Sequence, residues 1–208
     1  MDLNLIYSLA HPVGVLESRL TKYHYIGYKF NKNIKLFDVS DLGYYFSNHS
    51  EKLPDNLVEF VLAEKRTIFI PNILANNIIE IICRSATSKR FINISTGIPS
   101  VFYNIGGLSK TRHFTDKIII CEGTADCEYI KHFIYSDVLA CLTDSISSMK
   151  LEVLKSITNH VVLSFDNDES GKEATIRESK KLKKCGFFVE QLSPPPYLKD
   201  FGDMFECV

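Results

Sequence analysis

Between residues 117 and 192 four short apolar runs recur, each separated from the next by enough polar chain to form a helix. They are Ile118-Ile119-Ile120-Cys121, Val138–Leu142, Val161-Val162-Leu163-Ser164-Phe165 and Phe187–Leu192. Periodicity alone leaves the first run open between strand and helix. Its β-branched content, and Gly123 two residues beyond it, favour a buried strand. The runs are continuous rather than alternating, which means strands covered on both faces, and such strands belong to parallel sheets. Helices are expected at about 124–134, 147–158 and 170–185. The fold class predicted for 113–208 is therefore α/β, a parallel sheet of about four strands flanked by helices.

Upstream the character differs. Thr67-Ile68-Phe69-Ile70-Pro71 and Ile78–Arg84 are β-rich and flank an Asn76-Asn77 turn signal, so 66–84 reads as a hairpin. Phe91-Ile92-Asn93-Ile94 and Val101-Phe102-Tyr103 read as further short strands. Residues 1–60 give mixed periodicities. A helix is expected around 12–22, irregular or short elements through Tyr23–Phe46, a polar loop at Ser47–Pro54, and a short helix at 55–63. The organisation expected is a smaller mixed α+β subdomain, 1–112, followed by 113–208.

Charge divides along the same line. Residues 1–112 carry 13 Lys and Arg against 9 Asp and Glu, whereas 113–208 carry 11 against 16. A basic part beside an acidic part suits a protein that holds a polyanion on one side and metal ions on the other. Chance produces differences of this size as well.

The six cysteines stand singly, with no CxxC pair and no Cys/His spacing of a zinc site, so they read as buried free thiols. No apolar run approaches the roughly 18 residues of a membrane helix, and the N-terminus lacks the pattern of a signal peptide. A cytoplasmic protein without membrane contact is expected.

Ligands of open parallel sheets bind beyond the carboxyl ends of the strands, and two strands here end in acids. The first runs into Glu122-Gly123, with Asp126 one turn into the next helix. The third runs into Asp166-Asn167-Asp168, followed by Gly171. If the two strands are neighbours, four carboxylates converge. Uncompensated acids so close raise one another's pKa, and a hard cation relieves the repulsion; Mg²⁺ takes oxygen ligands and keeps waters for substrate phosphates. Alternation along an extended chain lets Asp166 and Asp168 reach one ion. Asp168, standing before a helix, reads equally as an N-cap.

Glu122-Gly123-Thr124-Ala125-Asp126 and Phe165-Asp166-Asn167-Asp168-Glu169-Ser170-Gly171-Lys172-Glu173-Ala174 resemble the two signatures of Toprim domains, which occur in topoisomerases, primases and some nucleases. The second motif is similar to the FDxDxxGxxA form of bacterial DnaG-type primases. Lys199-Asp200-Phe201-Gly202-Asp203 resembles that family's KDPD-like segment. Ala140-Cys141-Leu142-Thr143 resembles the strand end between the motifs, with the family's Gly-Thr altered. Ile70-Pro71, Arg84, Lys89–Asn93 and Val101–Tyr103 follow the order of the primase's basic N-terminal subdomain.

The resemblance implies a primase catalytic core. Glu122, Asp166 and Asp168 would be the catalytic, metal-binding acids for Mg²⁺ (or Mn²⁺), with Asp126 and Asp200 as supporting acids. Arg84 and Arg90 would contact nucleotide or template; apart from the family they read as ordinary charges at strand ends. The implied activity is synthesis of short RNA primers on single-stranded DNA from nucleoside triphosphates. The family's zinc ribbon and helicase-interaction domain have no counterpart, and neither does a lysine that the family places where Ile98 or a neighbour stands. This suggests a mobile-element or phage origin, with a replicative helicase or a zinc-bearing protein acting in trans. Two alternatives remain, a Toprim nuclease and a non-catalytic nucleic-acid-binding module. Lys180–Lys184 reads as a solvated helix face. Tyr23, Tyr25, Tyr28, Tyr44 and Tyr45, interleaved with lysines, read as core before they read as a stacking platform for bases.

Overall fold

The structure is a computed structural model that describes residues 2–12, 28, 31–97, 101–108 and 117–207. The chain divides into two compact units, Met1–Ser100 and Val101–Val208.

The first unit is a five-stranded antiparallel sheet in the order β1(His11–Pro12), β2(Lys35–Asp38), β3(Arg66–Leu74), β4(Asn77–Ser85), β5(Phe91–Ser95). The expected hairpin is β3–β4. Its turn falls at Ala75-Asn76, one residue earlier than the Asn76-Asn77 signal. Both turn residues have positive φ, 49° and 67°, the requirement of the two-residue hairpin turn that matches strand twist. Helices α1(Leu3–Ser8), α2(Val39–Asn48) and α3(Asp55–Glu64) supply Leu3, Ile6, Leu42, Tyr45, Leu57, Phe60 and Val61 to a core shared with Phe37, Phe69, Ile81 and Cys83. The Phe37 and Phe69 rings stack with centroids 4.7 Å apart.

Helix α2 departs from the irregular chain expected through Phe46. Its sequence is poor in strong helix formers and contains Gly43, so intrinsic propensity does not announce it. A reciprocal cap starts it: Asp38 Oδ1 accepts from the Ser40 N–H at 2.8 Å, and Asp41 Oδ2 accepts from the Asp38 N–H at 2.8 Å. Burial of Leu42 and Tyr45 then holds it. Tyr28 is buried like Tyr45 and Tyr44 is exposed. The helix expected at 12–22, and Tyr23 and Tyr25, lie outside the described residues, apart from Pro12, which is in β1.

The second unit carries a four-stranded parallel sheet in the order β7(Val138–Ala140), β6(Ile118–Cys121), β8(His160–Ser164), β9(Phe188–Gln191). Helices α4(Thr124–Phe133), α5(Ser148–Ile157) and α6(Glu169–Lys184) connect them as the alternation requires. Ile118, Ile120, Leu139, Val161, Leu163, Leu154, Ala174 and Leu182 form its core. Val101–Tyr103 contributes only an isolated bridge, Tyr103 to Ala140, rather than a strand. The chain is thus α/β with an antiparallel sheet first and a helix-flanked parallel sheet second. Among the described residues, Cys83, Cys121, Cys127 and Cys141 are free and buried and Cys185 is free and exposed. No described helix is long and apolar enough to cross a membrane.

Candidate metal centre at the parallel sheet edge

Strands β6 and β8 are neighbours, paired Cys121 to Ser164, which sets Glu122 level with Phe165. Asp166 lies one residue beyond, and the chain turns back there, so that the Asp166 N–H donates to Glu122 Oε1 at 3.4 Å. The turn depends on Gly171. A Cβ at that position would stand 2.2 Å from the Asp166 carbonyl oxygen, closer than any side chain can come.

Asp168 caps α6. Its Oδ1 accepts from the Gly171 N–H at 2.9 Å and from Ser170 Oγ at 2.7 Å, and these bonds hold its carboxyl below the usual range. The capping and cation-binding readings do not compete, because the two oxygens divide the tasks. Asp168 Oδ2 faces the Lys199 ammonium at 3.4 Å, and the same ammonium lies 2.6 Å from Asp166 Oδ2. One cation therefore touches both acids of the motif.

The segment after β9 completes the site. The Asn167 N–H donates to the Lys199 carbonyl at 2.6 Å, and Asn167 Nδ2 donates to the Leu198 carbonyl at 3.3 Å. Asp200 Oδ1 accepts from the Asp203 N–H at 2.9 Å, and Asp126 Oδ1 accepts from the Gly202 N–H at 3.0 Å. The rings of Phe201 and Phe205 pack on Tyr129 of α4, with centroids 6.0 and 4.9 Å away. Asp200 stands close enough to Asp126 for its charge to act on the Asp126 carboxyl.

Burial dominates the electrostatics. It pushes the Asp126 carboxyl up to about 8, with Asp200 and then Asp166 adding repulsion. Asp200 is raised by burial and by Asp203, and Glu122 by burial and by Asp166. Acids held above their ordinary range in this way gain most from a cation. Among the described residues no three His, Cys, Asp or Glu side chains are assembled as a ligand cage. The donor set is nonetheless oxygen-only and under-compensated, which fits a hard divalent ion that keeps part of its water shell.

Sequence reasoning missed three things. Lys199 stands in the sequence only as part of a motif, yet its ammonium bridges the acids. Lys150 is buried, and donates to the Cys141 carbonyl at 2.6 Å and to Thr143 Oγ1 at 3.0 Å, fixing the loop after β7. Leu142 sits in that loop at φ 60°, with its N–H on the Glu122 carbonyl at 2.8 Å. The altered Gly-Thr position was the only sequence signal for that strain.

Arg84 and Arg90 belong to the first unit. Arg84 is half-buried on β4, level with Ile68 of β3 and Phe91 of β5. Arg90 Nη1 lies 2.7 Å from Oε1 of Glu64, whose side chain is 6% exposed against 66% for Arg90. Ile98 lies outside the described residues.

Residues 119–205 match the family model described as Toprim-like, and this stretch is a Toprim domain. Such domains generally bind divalent metal. A DNA primase of Clostridium acetobutylicum is 32% identical over 80 residues, 38% of this chain and 13% of that protein's length. The chain therefore spans only a small part of that curated relative. A DNA primase domain from Pseudomonas aeruginosa superposes with a TM-score of 0.69 at 16% identity, covering 99% of this chain and 73% of the other. A DnaG primase catalytic domain bound to ssDNA does so at 0.67 and 15%, covering 99% and 73%. Over nearly its whole length the chain has the fold of the DnaG primase catalytic core.

Proposed function

We propose that the chain is a primase-type nucleotidyltransferase that joins ribonucleotides into short primers on single-stranded DNA, with Glu122, Asp166 and Asp168 holding Mg²⁺ or Mn²⁺. The observation that carries this reading is the single ammonium shared by Asp166 and Asp168, with Glu122 bonded to the Asp166 backbone beside them. A divalent ion bound there would neutralise charge on a nucleoside triphosphate and on the phosphoryl group in transfer.

The residues of the chain supply position. Gly171 and the Asp168 cap fix the curve of the motif. Asp126, pushed by burial up to about 8, and Asp200, also raised by burial, are the supporting acids of the site. Arg84 and Arg90 are the basic side chains that would contact template or nucleotide phosphates. Arg90 is engaged with Glu64. The fold shared with a primase domain that is itself bound to ssDNA supports the choice of template. Single-stranded DNA and nucleoside triphosphates are the partners this reading calls for, with a replicative helicase or a zinc-bearing protein as a further partner, in a cytoplasmic setting.

The test is to incubate the protein with Mg²⁺ or Mn²⁺, single-stranded DNA and labelled ribonucleotides. Short labelled products that vanish in Asp166→Ala support the reading. Shortened template would instead mean a Toprim nuclease. DNA binding with neither product would mean a non-catalytic module.

A further inference from the structure

Lys199 stands where a cation belongs, on a main chain that is fixed and with a head that is not. Its carbonyl accepts from the Asn167 N–H at 2.6 Å, and its own N–H donates to Asp203 Oδ2 at 3.1 Å. Two residues on, Phe201 is packed against Tyr129. The side chain is 55% exposed and ends 2.6 Å from Asp166 Oδ2 and 3.4 Å from Asp168 Oδ2. A flexible four-carbon stem carries that ammonium, so it can leave the acids while the backbone keeps it within a side chain's reach of them.

A divalent ion bound by Asp166 and Asp168 needs the oxygens that the ammonium now occupies. We propose that Lys199 is a tethered counter-cation of the site. It neutralises Asp166 and Asp168 in the metal-free protein, yields their oxygens to the entering divalent ion, and then binds the polyphosphate of the incoming nucleotide. The inference rests on the reading of Asp166 and Asp168 as metal ligands. Its two halves have opposite signs: the ammonium opposes the metal and assists the phosphates.

The experiment titrates wild type, Lys199→Met, Lys199→Gln and Asp166→Asn with Mn²⁺, reading free Mn²⁺ by electron paramagnetic resonance. Tripolyphosphate is then titrated calorimetrically in saturating Mg²⁺, and thermal unfolding in EDTA checks each fold. Both Lys199 variants should bind Mn²⁺ roughly twofold to fivefold more tightly, the scale of a partly exposed ion pair. Both should bind tripolyphosphate about tenfold more weakly, since a charge-assisted contact is lost. Unchanged Mn²⁺ affinity in folded Lys199 variants, with binding abolished in Asp166→Asn, would overturn the inference and leave the metal site standing. Tighter Mn²⁺ with unchanged tripolyphosphate affinity would overturn it too, since Lys199 would then oppose the metal without serving the substrate. A fall in both affinities would make Lys199 a structural residue. Absence of Mn²⁺ binding in wild type and in every variant would overturn the metal reading itself.

Discussion

The Asp166 N–H donates to Glu122 Oε1, so β6 and β8 are joined beyond their last ladder bond by a side chain from one strand and the backbone of the other. Glu122→Gln keeps an acceptor there and removes the charge. The metal-free protein should therefore remain folded, while Mn²⁺ affinity falls by at least about tenfold, as losing even an indirect support of a metal costs that much. Mn²⁺ titration beside thermal unfolding in EDTA checks both halves.

Gly171→Ala should destabilise the second unit by about 1–3 kcal/mol, the range for forcing an extra methyl into a packed site. The added carbon would meet backbone atoms of Asp166, which cannot swing aside as a side chain can. In a chain of this length, Tm should drop by roughly 2–4 °C for each kcal/mol lost. A variant as stable as wild type would show that the Asp166 turn is looser than its geometry implies.

Burial raises Asp126 to about 8, so its contribution to stability is full below the unfolded carboxylate pKa of about 4 and is lost as pH rises through 8. Asp126→Asn escapes that loss. Measured in EDTA, the Tm of the variant minus that of wild type should climb steadily between pH 5 and 8. A flat difference across that window would mean that Asp126 is ionised throughout.

Glu64 behaves in the opposite sense. Bonds from Ser85 and Ser88 and the Arg90 guanidinium hold its carboxyl below the usual range. Its stabilisation is present above the unfolded pKa and disappears as pH falls through the lowered one. Arg90→Ala should cost about 1–2 kcal/mol near neutral pH, less than a fully buried pair because Arg90 is largely exposed. That difference should shrink in acid. If Arg90→Ala weakens DNA binding with no change in stability, the ion pair with Glu64 is incidental.

The parallel sheet was legible because its strands are continuous apolar runs, a pattern set by burial on both faces and readable from residue type alone. The acids were legible for a related reason: strand ends define where Glu122 and Asp166 emerge. Their neighbourhood depended on β6 lying beside β8, which no local pattern encodes. Helix α2 was hidden because a reciprocal cap between Asp38 and Asp41 and the burial of Tyr45 outweigh weak propensity. Lys199 was hidden because its partners lie more than 30 positions earlier in the chain. The Arg90 partner, buried Glu64, was likewise invisible until α3 and the loop before β5 were placed together.

Docking of Phe201 and Phe205 against Tyr129 also sets an order of events during synthesis. A ribosome delivers Glu122 and Asp126 first, the Asp166 motif later, and the Lys199–Asp203 segment last of the three. Until that last stretch emerges, Asp126 lacks the Gly202 N–H and Asp166 lacks its ammonium. The acidic site is therefore complete only once the Lys199–Asp203 segment has docked against it.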